Sequence, residues 1–206
     1  MSKPDHYFSS TPQSDSRRSE FTIESARGTM TLFAESGVFS QHGLDKGTAV
    51  LLDTMRKQPL LTLPPGSLMC DLGCGSGAIA LTLAALYPQC TVYAIDINER
   101  ARDLCAENAT RNSCANVIVA SPESIDPDIA FSLLWSNPPI RIGKQALHDL
   151  LSTWLTKLHS SGVAHLVVSR NLGADSLAEW ITSNSFHCER VASSKGFRVL
   201  AVEPTS

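Results

Sequence analysis

An Asn-Pro-Pro run, Ser136-Asn137-Pro138-Pro139-Ile140, follows the apolar stretch Phe131-Ser132-Leu133-Leu134-Trp135. Each proline removes a backbone donor and fixes φ at about −65°, so a strand ladder stops there. Pro138 also pushes Asn137 into an extended conformation. The product is a stiff loop that offers one amide side chain and free carbonyls. These acceptors suit a substrate carrying an NH₂ group. A base-ring amine is a poor nucleophile because its lone pair is delocalised. Acceptors that bind both N–H bonds favour a pyramidal nitrogen and stabilise the positive charge developing on it. Asn137 Oδ1 and the Pro138 carbonyl are the candidates, with Pro139 stiffening the loop and Ile140 touching the ring face. A plain strand terminator is the alternative. Ligands of open α/β sheets sit beyond the strand carboxyl ends, which favours the functional reading.

Upstream lies Asp71-Leu72-Gly73-Cys74-Gly75-Ser76-Gly77, between a strand predicted over 68–72 and a helix predicted from near Ser76. Such glycines let the backbone turn tightly and approach a ligand closely. Asp96 lies 19 positions beyond Gly77, at the end of the strand predicted over 91–95, where a carboxylate can accept both ribose hydroxyls of an adenosine. Gly73, Gly75 and Ala78 also satisfy the dinucleotide pattern. Two features favour S-adenosylmethionine (SAM) instead. Asp71 would repel a pyrophosphate but suits the amino end of a methionine moiety, and the Asn-Pro-Pro loop has no evident role in hydride transfer. The predicted cofactor set is Asp71, Gly73, Cys74, Gly75, Gly77, Asp96, Ile97, Ser121 and Asn137. Ser121 either touches the adenine or caps a turn before Pro122. Methyl transfer from a sulfonium is an in-line displacement, so the protein must chiefly align the reacting atoms, and no metal is expected.

The elements that must position these residues follow from hydrophobic periodicity. Apolar runs over 68–72, 91–95, 116–120, 131–135 and 164–168 alternate with amphipathic helices that start near Ser76, cover 99–111 and 145–158, and then span 175–182. Continuous apolar strands separated by helices imply a largely parallel sheet covered on both faces. Two late strands, 188–191 and 198–202, have no helix between them and imply a terminal antiparallel hairpin. Residues 21–24 and 30–33 flank Ala26-Arg27-Gly28 as a further hairpin. Asp45 is placed to cap a helix through Leu51, Leu52 and Met55. Pro59, Pro64, Pro65 and Gly66 mark a linker. The organisation read from this is a flexible arm over 1–18 and one domain over 19–206, with an extension over 19–66 and a cofactor-binding core over 67–206.

The chain has 206 residues, 43% hydrophobic and 18% charged, which suits one soluble domain with an adequate core. No apolar run approaches the roughly 20 residues of a membrane span, and the N-terminus lacks an apolar signal core, so a cytoplasmic protein without membrane contact is expected. The six cysteines, Cys70, Cys74, Cys90, Cys105, Cys114 and Cys188, form no C-x-x-C pair and read as buried thiols. A formal net charge of −3 argues against coating nucleic acid by bulk charge. An RNA substrate would need a local basic patch, for which Arg141, Lys144 and Arg198 are candidates. The six histidines, His6, His42, His148, His159, His165 and His187, show no ligand spacing and read as structural or surface groups.

These motifs resemble the methyltransferase small domain family of SAM-dependent enzymes. Within it, the likeness is to the catalytic half of the C-type small-subunit ribosomal RNA (guanine-N2)-methyltransferases. It spans about residues 37–202 and rests on Gly37-Val38-Phe39-Ser40, Gly43-Leu44-Asp45-Lys46-Gly47-Thr48, the glycine turn, Asp96, Ser136 to Pro139, and Gly196-Phe197-Arg198-Val199. The resemblance implies a Rossmann-like class I fold with seven strands ordered 3-2-1-4-5-7-6. It implies SAM at Asp71, Gly73, Gly75 and Asp96, the target amine at Asn137 and Pro138, and ribosomal RNA or a ribosomal subunit as partner. Two departures stand out. The family places an aromatic residue after Asn-Pro-Pro to stack on a flipped base, and Ile140 replaces it here. The likened enzymes also carry a second, degenerate half that this chain has no room for, so RNA positioning would fall to this domain, its N-terminal arm or a partner. Methylation of a protein glutamine or an adenine, a non-catalytic RNA- or protein-binding module, and a nicotinamide oxidoreductase are the rival readings.

Overall fold

Apolar residues alternate along Phe21-Thr22-Ile23 and Met30-Thr31-Leu32, and the chain folds back between them as a hairpin. The computed structural model describes residues 18–38 and 43–205. Its first elements are the antiparallel strands β1 (Arg18–Ser25) and β2 (Gly28–Glu35), which set Ile23 opposite Met30 and Phe21 opposite Leu32. Arg18 is not part of a loose arm. It opens β1 and binds Glu35 at 3.1 Å and Glu107 at 3.0 Å, an ionic anchorage that a polar composition conceals. The rest of the predicted arm, with Phe39 and Ser40 of the Gly-Val-Phe-Ser segment, lies outside the described residues.

The remaining elements alternate as predicted. In chain order they are α1 (Lys46–Met55), β3 (Leu68–Leu72), α2 (Ala78–Leu86), β4 (Thr91–Ile95), α3 (Glu99–Arg111), β5 (Val117–Ala120), β6 (Phe131–Ser136), α4 (Lys144–Leu155), β7 (Leu158–Ser169), α5 (Ala174–Ser183), β8 (Phe186–Ser194) and β9 (Phe197–Pro204). The sheet order is β5-β4-β3-β6-β7-β9-β8, parallel through β7 and antiparallel at β9 and β8. Numbered from β3, this is the order that the family resemblance implies.

Two boundaries move. β7 starts at Leu158, where the predicted helix ended, and not at Ala164. Its first half, His159-Ser160-Ser161, is exposed and polar, so hydrophobic periodicity does not register it. It pairs with β6 across a register shift, Phe131 opposite Leu158 and then Leu133 opposite Val163. β8 is longer than predicted because it is an outer strand with mostly exposed side chains and a bulge between Arg190 and Ala192.

Two apolar cores flank the sheet. One packs Met69, Leu133, Trp135, Val167 and Val199 against α1, α2 and the hairpin. The other packs Leu72, Phe131, Leu134, Leu166 and Leu200 against α4 and α5. Residues 78–85 of α2 are buried on every face, because the hairpin closes over the side that would otherwise meet water. A helix apolar all round requires such enclosure. Buried Asn108 ties the hairpin to the glycine turn: it bonds both backbone groups of Phe33 and donates to the Ser76 carbonyl at 2.8 Å. No helix among the described residues is long and apolar enough to cross a membrane.

Candidate active site

The glycine turn joins β3 to α2 at the carboxyl edge of the sheet. The Gly73 and Cys74 amides donate to the Ile95 carbonyl at 2.8 and 3.0 Å, which folds the turn against the end of β4. Gly77 has φ of 88°, and a Cβ there would meet Cys105 Sγ at 2.7 Å. Only glycine provides both the left-handed backbone and the clearance for α3. Asp71 is fully buried, with Oδ2 accepting from the Ala80 amide at 2.9 Å. It therefore braces the first turn of α2 from within, and its Oδ1 has no partner among the described residues. Burial pushes its carboxyl up to about 8, against the Ala80 bond and with a further upward push from Asp96.

Asp96 lies where the spacing places it. Its Oδ2 accepts from the Gly75 amide at 3.0 Å and its Oδ1 from the Asn98 amide at 2.9 Å. Asp96 thus locks the turn, and its remaining lone pairs suit the hydroxyls of a ribose. Burial raises its pKa, and those amides work in the opposite direction. Ile97, beside it, is 48% exposed, an apolar surface next to the ribose acid. Ser121 follows β5 and is half-buried; it hydrogen-bonds the exposed Glu123 carboxyl, whose pKa is lowered first by its own amide and then by Ser121. Cys74 is buried beside Cys105, and that neighbouring thiol together with burial holds its pKa high, so it is an inert thiol in the wall of the turn.

The acceptor loop begins where Ser136 Oγ donates to the Leu72 carbonyl at 2.7 Å, fastening the end of β6 to the end of β3. Asn137 Nδ2 then donates to Asp45 Oδ1 at 2.7 Å and to Thr48 Oγ1 at 3.1 Å. A carboxylate only accepts, so the amide must turn its nitrogen toward α1. Among the described residues nothing donates to Asn137 Oδ1. Pro139 has φ −75° and ψ 74°, an inverse γ-turn in which the Ile140 amide donates to the Pro138 carbonyl at 2.8 Å. That carbonyl is thereby engaged by its own turn, and Pro138 itself is buried and does not line the cleft that Asn137 shares with the glycine turn. Ile140 is half-buried and packs partly into the α4–α5 core.

One cleft brings Asn137 of the acceptor loop to the glycine turn, while Asp71, Gly77, Asp96, Ile97, Ser121 and Pro138 to Ile140 do not line it. Gly73, Cys74 and Gly75 line it on one side, Asn137 on another, and Asp45 and Thr48 close it from α1. Asp45 was legible only as a helix cap, which it is, accepting from the Gly47 and Thr48 amides. The bonds of Asp45 and Thr48 to Asn137 have no local signal in the sequence. Arg141 and Lys144 are exposed just past the loop. Arg198 is not brought to the cleft: its guanidinium is ion-paired with Asp175 at the start of α5. His165 is buried against the edge of the Trp135 ring, and burial lowers it to about 4. His148 stacks on Trp180. Among the described residues no cluster of His, Cys, Asp or Glu is arranged to hold a metal.

The donor set fits SAM. Asp96 at the turn sets an acid beside bare backbone, suited to a cationic ligand with a ribose and unfavourable to a diphosphate, whereas Asp71 is sealed beneath the turn with one orphaned oxygen. Gly73 has φ of 77° and faces open space, so the backbone there is bare to a ligand.

Comparison with known proteins points the same way. The family described as "Methyltransferase small domain" matches residues 29–201. The chain is 30% identical over 199 residues to the uncharacterized protein YbxB of Bacillus subtilis (strain 168), covering 95% of this chain and 96% of that protein. It is 31% identical over 190 residues to ribosomal RNA small subunit methyltransferase C of Pseudomonas putida (strain W619), covering 90% of this chain and 54% of that protein. The chain thus spans about half the length of the ribosomal RNA methyltransferases it matches. Among solved structures, the T. thermophilus 16S rRNA N2 G1207 methyltransferase (RsmC), in complex with AdoMet and guanosine, shares the fold with a TM-score of 0.73. Its identity is 20%, and the likeness covers 91% of this chain and 50% of that one.

Proposed function

The chain belongs to the methyltransferase small domain family and is a SAM-dependent methyltransferase, and we propose that it methylates an exocyclic amine of RNA, guanine N2 of ribosomal RNA first of all. The observation that supports this reading is the shared cleft, where Asn137, with Nδ2 held by Asp45 and Thr48 and Oδ1 without a partner among the described residues, lines the same cavity as the glycine turn. The relatives named as small-subunit ribosomal RNA methyltransferases supply the substrate class.

When bound, SAM supplies a methyl group on a positively charged sulfur, already activated for displacement. The chain's residues do the rest. The glycine turn and Asp96 with Ile97 hold the cofactor, with Asp71 behind the turn, and Ser121 is a candidate contact for the adenine. Asn137 Oδ1, with the Pro138 carbonyl as the second candidate acceptor, takes the amine hydrogens. This orients the nitrogen lone pair and stabilises the charge that grows on nitrogen. The Pro138–Pro139 turn keeps those two acceptors at a fixed spacing. Ile140 offers an apolar edge and no π face, so the base is held more by its amine and less by stacking than where an aromatic follows the prolines. Arg141 and Lys144 are placed to meet phosphates flanking the target nucleotide. In a chain of net charge −3, these few cations have to act locally.

The direct experiment uses SAM carrying a labelled methyl group. RNA and small ribosomal subunits from cells lacking the protein serve as acceptors, followed by nucleoside analysis. Label in N2-methylguanosine is the expected result. Label in N6-methyladenosine or in protein glutamine would replace the guanine assignment, and no label in any pool would remove the RNA assignment altogether.

A further inference from the structure

The first helix meets the end of β6 at three polar side chains. Asn137 belongs to the acceptor loop, while Asp45 and Thr48 belong to the Gly43–Thr48 segment of the family likeness, to which the residues themselves assign no part in methyl transfer. Asn137 Nδ2 gives its two hydrogens to Asp45 Oδ1 at 2.7 Å and Thr48 Oγ1 at 3.1 Å. Asp45 Oδ1 is itself fixed, because it also accepts from the Gly47 amide at 2.7 Å and the Thr48 amide at 3.1 Å. Gly47 is small for a visible reason. A Cβ there would stand 3.0 Å from Asp45 Oδ1, 3.1 Å from Phe197 Cε1 and 3.2 Å from Asn137 Nδ2. Helix, acceptor loop and the start of β9 therefore close on one point.

We propose that Asp45 and Thr48 are positioning residues for the methyl transfer: they lock the Asn137 amide with its oxygen toward the acceptor amine, and the Asp45 charge polarises that amide into a stronger acceptor. The proposal rests on the reading of Asn137 as the residue that grips the amine. An unrestrained amide presents NH₂ as readily as oxygen, and an NH₂ group pointed at an amine repels it. The carboxylate removes that ambiguity, since it can only accept. A hydrogen bond from the amide nitrogen to a full negative charge also draws electron density toward Oδ1, and such charge-assisted bonds are roughly twice as strong as neutral ones. Capping alone does not require the charge, because asparagine or serine caps a helix as well as aspartate does. What an aspartate adds here is the ionic acceptor for Asn137.

The test compares Asp45→Asn, Thr48→Val, Thr48→Ser and Asn137→Ala. Turnover is read with labelled SAM and small ribosomal subunits from a strain lacking the protein. S-adenosylhomocysteine affinity by calorimetry and the melting temperature are read beside it. Asp45→Asn keeps the helix cap and an oxygen facing Asn137 but removes the charge. It should lower kcat about tenfold, the usual size of an effect exerted through an orienting partner, with homocysteine-analogue affinity and melting temperature unchanged. Thr48→Val should lower kcat severalfold, and Thr48→Ser should restore it. If Asp45→Asn turns over within about twofold of the parent while Asn137→Ala is inactive, the positioning role is wrong and the acceptor reading stands. If Asp45→Asn loses cofactor affinity or melting temperature along with turnover, its role is structural and the proposal fails. If Asn137→Ala itself keeps turnover, the acceptor reading falls and takes this one with it.

Discussion

Four consecutive residues, Gly73 to Ser76, line the proposed cofactor side of the cleft, whereas its proposed acceptor side joins α1 to the end of β6 through a hydrogen bond between residues 92 positions apart. The cofactor side is built from backbone. Its amides are committed to the Ile95 carbonyl and the Asp96 carboxylate, and its one braced side chain, Asp71, is sealed inside the protein. The acceptor side is built from side-chain polar atoms, with Asn137 held by Asp45 and Thr48. Backbone cradles tolerate changes of neighbouring side chains, so that half can bind one cofactor in chains of many substrates. A side-chain constellation can be retuned by single replacements, as Ile140 in place of an aromatic residue illustrates. On the proposed reading, cofactor binding and substrate choice are separated within one cleft.

The separation makes the two halves independently breakable. The largest expected effect is from Asn137→Ala. Removing an acceptor that acts on transition-state charge costs about 10²–10³ in kcat, and calorimetric affinity for S-adenosylhomocysteine should remain near that of the parent. A parallel loss of affinity would show that the halves are not separate. Asp96→Ala should do the reverse. Hydrogen bonds to a charged group contribute roughly 1.5–3 kcal/mol, so analogue binding should weaken about tenfold to a hundredfold, while kcat at saturating SAM falls far less. Equal losses in kcat and affinity would place Asp96 in the chemistry and not in the cradle.

How much of this was legible depends on how local each feature is. The glycine turn lies on adjacent residues, and Asp96 follows at a spacing that the intervening helix and strand set, so both can be read along the chain. The parallel sheet is legible for the same reason, since each buried strand carries its own apolar run. Asp45 shows only its local role, capping α1, because its bond to Asn137 exists only once β6 lies beside β3 and α1 packs over them. The first half of β7 is invisible because its exposed His159-Ser160-Ser161 carries no apolar period. Arg198 reads as an available cation until α5 brings Asp175 to it. Asp71 reads as a ligand of the cofactor's amino end, and only its burial reveals that it also braces α2.

The smallest predicted effect sharpens the contrast from the cofactor side, because the buried acid there gives the ligand-free protein a characteristic pH dependence. Asp71 has its pKa raised by burial to about 8, against ~4 in an unfolded chain. Between those values the unfolded state binds fewer protons at this site than the folded state, so Asp71 makes stability fall as pH rises. His165 acts in the opposite sense: burial lowers it to about 4 from an unfolded value of ~6.5, so its contribution is lost as pH falls through that window. The two oppose each other below about pH 6.5, and above it His165 is neutral in both states. From about pH 6.5 to 8 the Asp71 effect therefore stands unopposed by His165 and amounts to at most ~2 kcal/mol, or a fall of several degrees in melting temperature for a domain of this size. Asp71→Asn retains an oxygen for the Ala80 amide and removes the ionisation. Its melting temperature should be flatter over that interval, with any slope from the raised Asp96 common to both proteins. Parallel melting curves for parent and Asp71→Asn across that range would mean that Asp71 is already ionised in the ligand-free fold and that its buried oxygen is solvated after all.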